Sequence, residues 1–499
     1  MNIQFCDTKD GFKTFSLDNV FFHSKYAPLK EAERFVQGIT LPYNPKLIFL
    51  VEPGLTYCYP FLKDKFPSSK IVIIRLIDYD FPGKEIFDNV IKYDSTRNFK
   101  NELLHTFGEE ALLSSGIFIW PAAQNVFAEQ VHSIIEDYRQ TLEECKTLLV
   151  TRQFFEKKWL TNCCNFVLNI GKQISLNDKI DAPVVVCASG PSLYPCLEAI
   201  KENEDKLFII ALSSALSVLI YNNIKPDLVL STDGGFWAGE HLKLLAKNSD
   251  IPLACPAEAY IPKKILKSNP VLPLEYNDTS SFISTQLLGK AGIPCHKALR
   301  NPTVSGTALY FADSITDNKI YFCGLDLHGQ PGLQHSKPNE IEKNNCAAET
   351  HFANKETRNS RSRFNSASLK IYEEWFAGIT DKAILAKTVR VIDEEYKNNT
   401  LGKICEIDSR GFADELKKAA VHDLDKKSLF SYGQAELSGE LKKEVFDLIL
   451  EQLDSPKWQN QIFPADFVAL QNSGNEEIKQ QLSKKIERLK DKIRKLQNG

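Results

Sequence analysis

The sequence predicts an α/β protein: two Rossmann-like, doubly wound parallel-sheet domains and a mainly helical C-terminal region. Three observations predict this. Short apolar runs that stop at turn residues alternate with helix-capable stretches before residue 125. The same alternation returns, more strongly, between 176 and 400. From 401 to 499 the apolar residues fall mainly at helical spacing. Strands alternating with helices imply βαβ units and parallel sheets. The expected organisation is an N-terminal Rossmann-like domain (1–125), a helical connector (126–175), a second Rossmann-like domain (176–400) and the helical region (401–499).

In the first domain, Lys46–Val51 is an apolar run that ends in Glu52-Pro53-Gly54, and Lys70–Ile77 and Ser115–Trp120 give two more strands. Glu129–Glu136 and Trp159–Ile170 carry a helical period. In the second domain, strands are expected at Pro183–Cys187, Leu207–Leu212, Leu228–Ser231 and Lys319–Cys323. Near the end, Ile478, Leu482, Ile486, Leu489, Ile493 and Leu496 form one amphipathic stripe. It fits a helix packed on its own domain or a short self-association helix.

Composition excludes several classes. With 43% hydrophobic and 25% charged residues and a net charge of -3, the chain is an ordinary globular protein and not a general nucleic-acid binder. No run approaches the ~18 uninterrupted apolar residues of a membrane span. The first residues lack a basic start followed by an apolar core, so no signal peptide is expected and the location is cytoplasmic. Twelve scattered cysteines without a C-x-x-C pair fit free thiols and no metal cage.

Doubly wound sheets bind ligands beyond the C-terminal ends of their strands. The first strand of the second domain runs into Ser189-Gly190-Pro191-Ser192. Gly190 allows close backbone approach, Ser192 suits a helix cap, and free N–H groups at a helix start suit an anion. A phosphate-binding turn and a plain bend both fit. No Gly-Lys-Ser/Thr follows, so this is not the lysine loop of common ATPases. The next strand ends in Ser213-Ser214. The third, preceded by Lys225-Pro226-Asp227, ends in Thr232-Asp233-Gly234-Gly235. A carboxylate there suits ribose hydroxyls, a bound metal or a simple turn. Ser305-Gly306 opens a further helix, and Lys319–Cys323 runs into Gly324-Leu325-Asp326-Leu327-His328. Convergence of four such ends favours a polar small-molecule site. His296, His328, His335 and His351 flank it as candidate bases or as surface residues.

Taken in order, Gly190-Pro191-Ser192-Leu193, Lys225-Pro226-Asp227 with Asp233, Pro302-Thr303 with Ser305-Gly306, and Gly324-Leu325-Asp326-Leu327 resemble the central, MptE-like domain of the bacterial motility accessory factors. The likeness spans roughly 160 to 380. Ser368–Phe376 is similar to the family's closing Tyr–Trp helix, and Glu31–Phe35 before the strand at Lys46 to its N-terminal domain. The resemblance implies transfer of a nonulosonic acid, of pseudaminic or legionaminic type, from a CMP-activated donor to serine or threonine of flagellin. It also resembles small bacterial sialyltransferases. By that likeness Gly190, Pro191 and Ser192 line the nucleotide, with Ser189 and Ser213 beside them. Asp233 lies near the ribose or donor sugar and acts in catalysis. Ser305 and Gly306 hold cytidine or phosphate, with Asp326 close by. His335 matches the family's general base and His351 is its rival. Where those relatives have Asn before Gly-Pro-Ser, this chain has Ser189. Arg75 and Leu76 stand where nucleotide-binding relatives place an acidic residue, so the first domain is expected to be a scaffold or protein-binding unit. No metal is required by sugar transfer from CMP; a divalent ion such as Mg²⁺ on Asp233 or Asp326 is the alternative. Two other readings are an ATP-dependent 6-hydroxymethylpterin diphosphokinase, which the archaeal relatives imply, and a non-catalytic flagellin-binding protein. Sugar, acceptor residues and oligomeric state are open.

Overall fold

The computed structural model describes residues 3–78, 89–95, 98–276, 278–328, 335–352, 367–418 and 423–498. They form two compact units, one of residues 1–156 with 453–490, the other of 157–452 with 491–499.

The first unit opens with a small antiparallel sheet of β1 (Gln4–Asp7), β2 (Lys13–Leu17) and β3 (Val20–Phe21). Its main sheet is parallel, in the order β6-β5-β4-β7, from β4 (Leu47–Val51), β5 (Lys70–Arg75), β6 (Asn89–Lys92) and β7 (Ser115–Ile119). The expected apolar runs supply β4, β5 and β7. Every residue of β4 is buried, as a central strand covered on both faces requires.

In the second unit an eleven-stranded sheet is seen among the described residues. Its strands are β8 (Lys172–Leu176), β9 (Val184–Cys187), β10 (Phe208–Leu212), β11 (Leu228–Leu230), β12 (Leu253–Pro256), β13 (Pro270–Tyr276), β14 (His296–Ala298), β15 (Ile320–Cys323), β16 (Thr388–Val391), β17 (Cys405–Ile407) and β18 (Phe430–Gln434). The order is β17-β16-β15-β9-β10-β11-β12-β13-β8-β18, with β14 also on β13. All pairings are parallel except β18 on β8. Successive strands β9 to β13 grow to one side of β9, and β15 to β17 to the other. The chain therefore reverses direction between β9 and β15, and the carboxyl ends there are where such sheets hold ligands. Residues 401–499 are mainly helical and also supply β17 and β18.

Residues 128–169 are one helix of 42 residues. The final helix runs Glu476–Asn498, and Leu482, Ile486, Leu489 and Ile493 of its apolar stripe are buried. Within the first unit that helix pairs Lys485 with Asp466 at 2.7 Å and Lys490 with Asp454 at 2.7 Å.

Ile210 sits at the middle of β10, fully buried between β9 and β11. Ile210→Ala is expected to cost about 2–5 kcal/mol. Denaturant unfolding followed by tryptophan fluorescence measures this.

Candidate functional site

Beyond the carboxyl ends of β9, β10 and β15 lies a cleft enclosing about 200 Å³. The β9 end brings Ala188, Ser189 and Gly190, and the β10 end brings Leu212, Ser213 and Ser214. The β15 end brings Gly324 to His328, the helix Val304–Ile315 opens with Thr303, Val304 and Ser305, and His335, Leu369 and Tyr372 complete the wall. Six of the residues expected at the site therefore meet: Ser189, Gly190, Ser213, Ser305, Asp326 and His335. Pro191, Ser192 and Gly306 are buried and do not line it. Asp233 is exposed, and its Oδ1 accepts the Gly235 N–H at 2.9 Å in a short turn at the end of β11. His351 is exposed and outside the lining; His296, half-buried, is outside it too and bonds Ser314 Oγ at 3.1 Å. Asp227 lies at the opposite end of the sheet, where it accepts Ile209 N–H at 2.8 Å and pairs with Lys426 at 2.9 Å.

The Ser-Gly-Pro-Ser turn does hold an anion, and that anion is the chain's own Asp326. Its carboxylate, only 3% exposed, accepts from the Ser192 N–H at 3.2 Å and from the Ser192 hydroxyl. The Gly190 N–H goes to Gly324 O at 2.8 Å. Gly190 is needed for space rather than for φ, which is -69°. A Cβ there would lie 2.6 Å from Asp326 Oδ1 and from Gly324 O. Burial raises the Asp326 carboxyl above its ordinary value, against the bonds from Ser192.

The loop carrying Asp326 is clamped from β16 and the segment after it. Arg390, 0% exposed, donates from Nε to Leu325 O at 2.9 Å and from Nη2 to Asp326 O at 3.0 Å. Its charge is answered by Glu406 at 2.9 Å. Asn399 Nδ2 adds a bond to Asp326 O at 3.2 Å. These bonds hold Leu327 in the left-handed region at φ 56°, an arrangement that costs about 1 kcal/mol or more without such bracing. His328 is fixed on both sides, with Asn398 Nδ2 donating to Nδ1 at 3.1 Å and Nε2–H donating to Tyr396 O at 2.8 Å. That leaves neither ring nitrogen for chemistry.

His335 is different. Its Nδ1 lies 3.0 Å from Ser189 Oγ. The segment around it is fastened to the β9 turn by Ser336 N–H to Ser189 O and Ser336 Oγ to Gly190 O, both 2.7 Å. Tyr194 OH also bonds Lys337 O at 3.2 Å, and Asn339 Nδ2 bonds Ser214 O at 3.1 Å. Burial, then the nearby His241, lowers the His335 pKa to about 4, so it is neutral at pH 7. His241, near the end of the helix Phe236–His241, is itself lowered by burial and raised in turn by Glu340, Asp233 and Glu240. Nothing in the sequence singles out His241 or Arg390: one ends a short helix without a motif, the other sits in a short strand that reads as half-exposed.

The helix Ala367–Ala377 closes one side of the cleft. Trp375 packs on Gly306, where a Cβ would come within 2.9 Å of its ring, and Tyr372 reaches the lining. Among the described residues no cluster of three or more His, Cys, Asp or Glu is arranged to hold a metal. In the first unit, the β4 end is filled by Glu52, whose carboxylate accepts Leu76 N–H at 2.7 Å and Ile77 N–H at 3.1 Å and pairs with Arg75 at 2.7 Å.

A Gly190→Ala change must displace Asp326, and is expected to cost about 1–3 kcal/mol as overpacking. Because both changes disrupt the same Ser192–Asp326 contact, the losses in melting temperature of Gly190→Ala and Asp326→Ala should be less than additive in the double variant. A buried neutral histidine favours folding at neutral pH, because the unfolded chain takes up its proton first. Stability held by His335 is therefore lost as pH falls from the ordinary histidine value toward about 4. Thermal melts across that window should fall less steeply in His335→Gln.

Residues 158–331 match the family described as 6-hydroxymethylpterin diphosphokinase MptE-like. An uncharacterized protein of Treponema pallidum (strain Nichols) is 30% identical over 295 residues, which is 58% of this chain and 63% of that relative. The chain thus spans less than two thirds of that relative's length. The structure of a Maf glycosyltransferase from Magnetospirillum magneticum AMB-1 superposes over 99% of this chain and 90% of its own, with a TM-score of 0.53 and 12% identity. Residues 158–331 thus resemble an MptE-like domain, within a fold that the chain shares along nearly its whole length with a Maf glycosyltransferase.

Proposed function

We propose that the protein is a cytoplasmic glycosyltransferase that moves a nonulosonic acid from a CMP-activated donor to serine or threonine of flagellin. The observation that carries this is the neutral His335 held on Ser189 in a cleft lined by the hydroxyls of Ser189, Ser213 and Ser305, in a fold shared with a glycosyltransferase. Transfer breaks the bond from the anomeric carbon to phosphate and forms one to the acceptor oxygen. The departing phosphate of CMP needs hydrogen-bond donors, which the three hydroxyls and the start of the helix Val304–Ile315 supply. The acceptor hydroxyl needs a base, and His335 takes its proton. Ser192, Pro191 and Gly306 act behind the surface, Ser192 by locking Asp326 and Gly306 by admitting Trp375. Asp233, in the turn after β11 and outside the cleft lining, is assigned to the donor sugar or ribose by the family likeness alone. The first unit is a scaffold, its strand end filled by Glu52. No metal is needed in this scheme.

The match to a pterin diphosphokinase family favours one other reading, pyrophosphate transfer from ATP with Mg²⁺. Thermal-shift screening separates the two, since a ligand that binds the native state raises its melting point. Cytidine nucleotides should stabilise the protein. A response to ATP with Mg²⁺ and none to CMP or CTP would sink the first reading. His335→Gln should lower transfer to flagellin, read by mass spectrometry, by about 10²–10⁴-fold. Full glycosylation in that variant would remove His335 as the base.

A further inference from the structure

We propose that Ser189 is a positioning residue that sets the tautomer of His335, and that an anion bound in the cleft throws the switch. The inference rests on the reading of His335 as the base. It begins from a simple constraint: a neutral imidazole carries one N–H, and only the bare nitrogen accepts a proton. His335 Nδ1 and Ser189 Oγ lie 3.0 Å apart, so one of them must donate. If the serine donates, the imidazole proton sits on Nε2 and the ring offers no base beyond that bond. If Nδ1–H donates, Nε2 is bare.

What decides is the next partner of the serine hydroxyl. Ser189 lines the cleft and is 8% exposed. Its backbone is fixed from the other side by the Ser336 N–H at 2.7 Å, so the hydroxyl turns while its oxygen stays in place. An anionic oxygen in the cleft calls for a donor. The Ser189 hydroxyl then points its proton at the anion and presents its lone pair to Nδ1. The imidazole proton leaves Nε2 and returns at Nδ1 through solvent, with no net gain or loss. Substrate binding thereby creates the base. Burial, and after it the charge interaction with His241, disfavours a positive charge on His335, so the ring stays a neutral switch.

Histidine ¹⁵N spectra of the full chain test this, with CMP and inorganic phosphate as probes. The His335 signals, assigned by their loss in His335→Gln, should exchange pyrrole-type and pyridine-type character between Nδ1 and Nε2 when either probe is added. Ser189→Ala should bind the probe without the exchange. Ser189→Asn should restore it, because an amide accepts and donates on one short side chain. No response of His335 to either anion, or the same exchange in Ser189→Ala, overturns the proposal. The tautomer is read without turnover. An exchange in a protein that transfers no sugar would leave this switch standing and dismiss the function proposed above.

Discussion

The carboxylate of Asp326 is the tie on which the second unit's site depends. It joins the end of β15 to the end of β9, the two strands between which the chain reverses direction. Without it the Ser192 N–H and hydroxyl would be buried without partners, a cost of about 1–3 kcal/mol each. The size of Gly190 follows from it, since any side chain would enter the same volume. So does the Arg390 clamp, which fixes the backbone carrying the carboxylate. The left-handed Leu327 and the doubly bonded His328 follow in the same loop. Buried ion pairs such as Arg390–Glu406 add little net stability but punish any other arrangement. Here that arrangement is a strand-end loop folded over the cleft.

Much of this was legible in the sequence, for a physical reason. A parallel strand covered on both faces must be a continuous apolar run, so β4, β5, β9, β10 and β15 announce themselves. β12 and β13 do not, because Pro256, Pro270 and Pro273 interrupt the pattern. β16 reads as Thr-Val-Arg-Val, which suggests one wet face, yet Arg390 is fully buried. Its partners lie 9 to 65 residues away, separations no local pattern spans. The strand-end residues were also legible as a set, since the fold forces them together. Their individual roles were not. Ser192 and Asp326 both read as ligand contacts, and only the coordinates pair them with each other. His241 carried no signal, because its importance is its proximity to His335.

The two units treat the same architectural position alike. In the first, the N–H groups after β5 are committed to Glu52. In the second, the turn after β9 is committed to Asp326. Each sheet thus sets one of its own carboxylates on backbone N–H groups at a strand end.

That choice changes what kind of surface a visitor meets. With the Gly190 and Ser192 N–H groups of the β9 turn occupied, the polar side chains that line the cleft include those of Ser189, Ser213 and Ser305. A peptide N–H can only donate and cannot turn. A hydroxyl rotates, and can give or receive. Such a lining can give or take a hydrogen bond as a bound group requires, without moving a single strand.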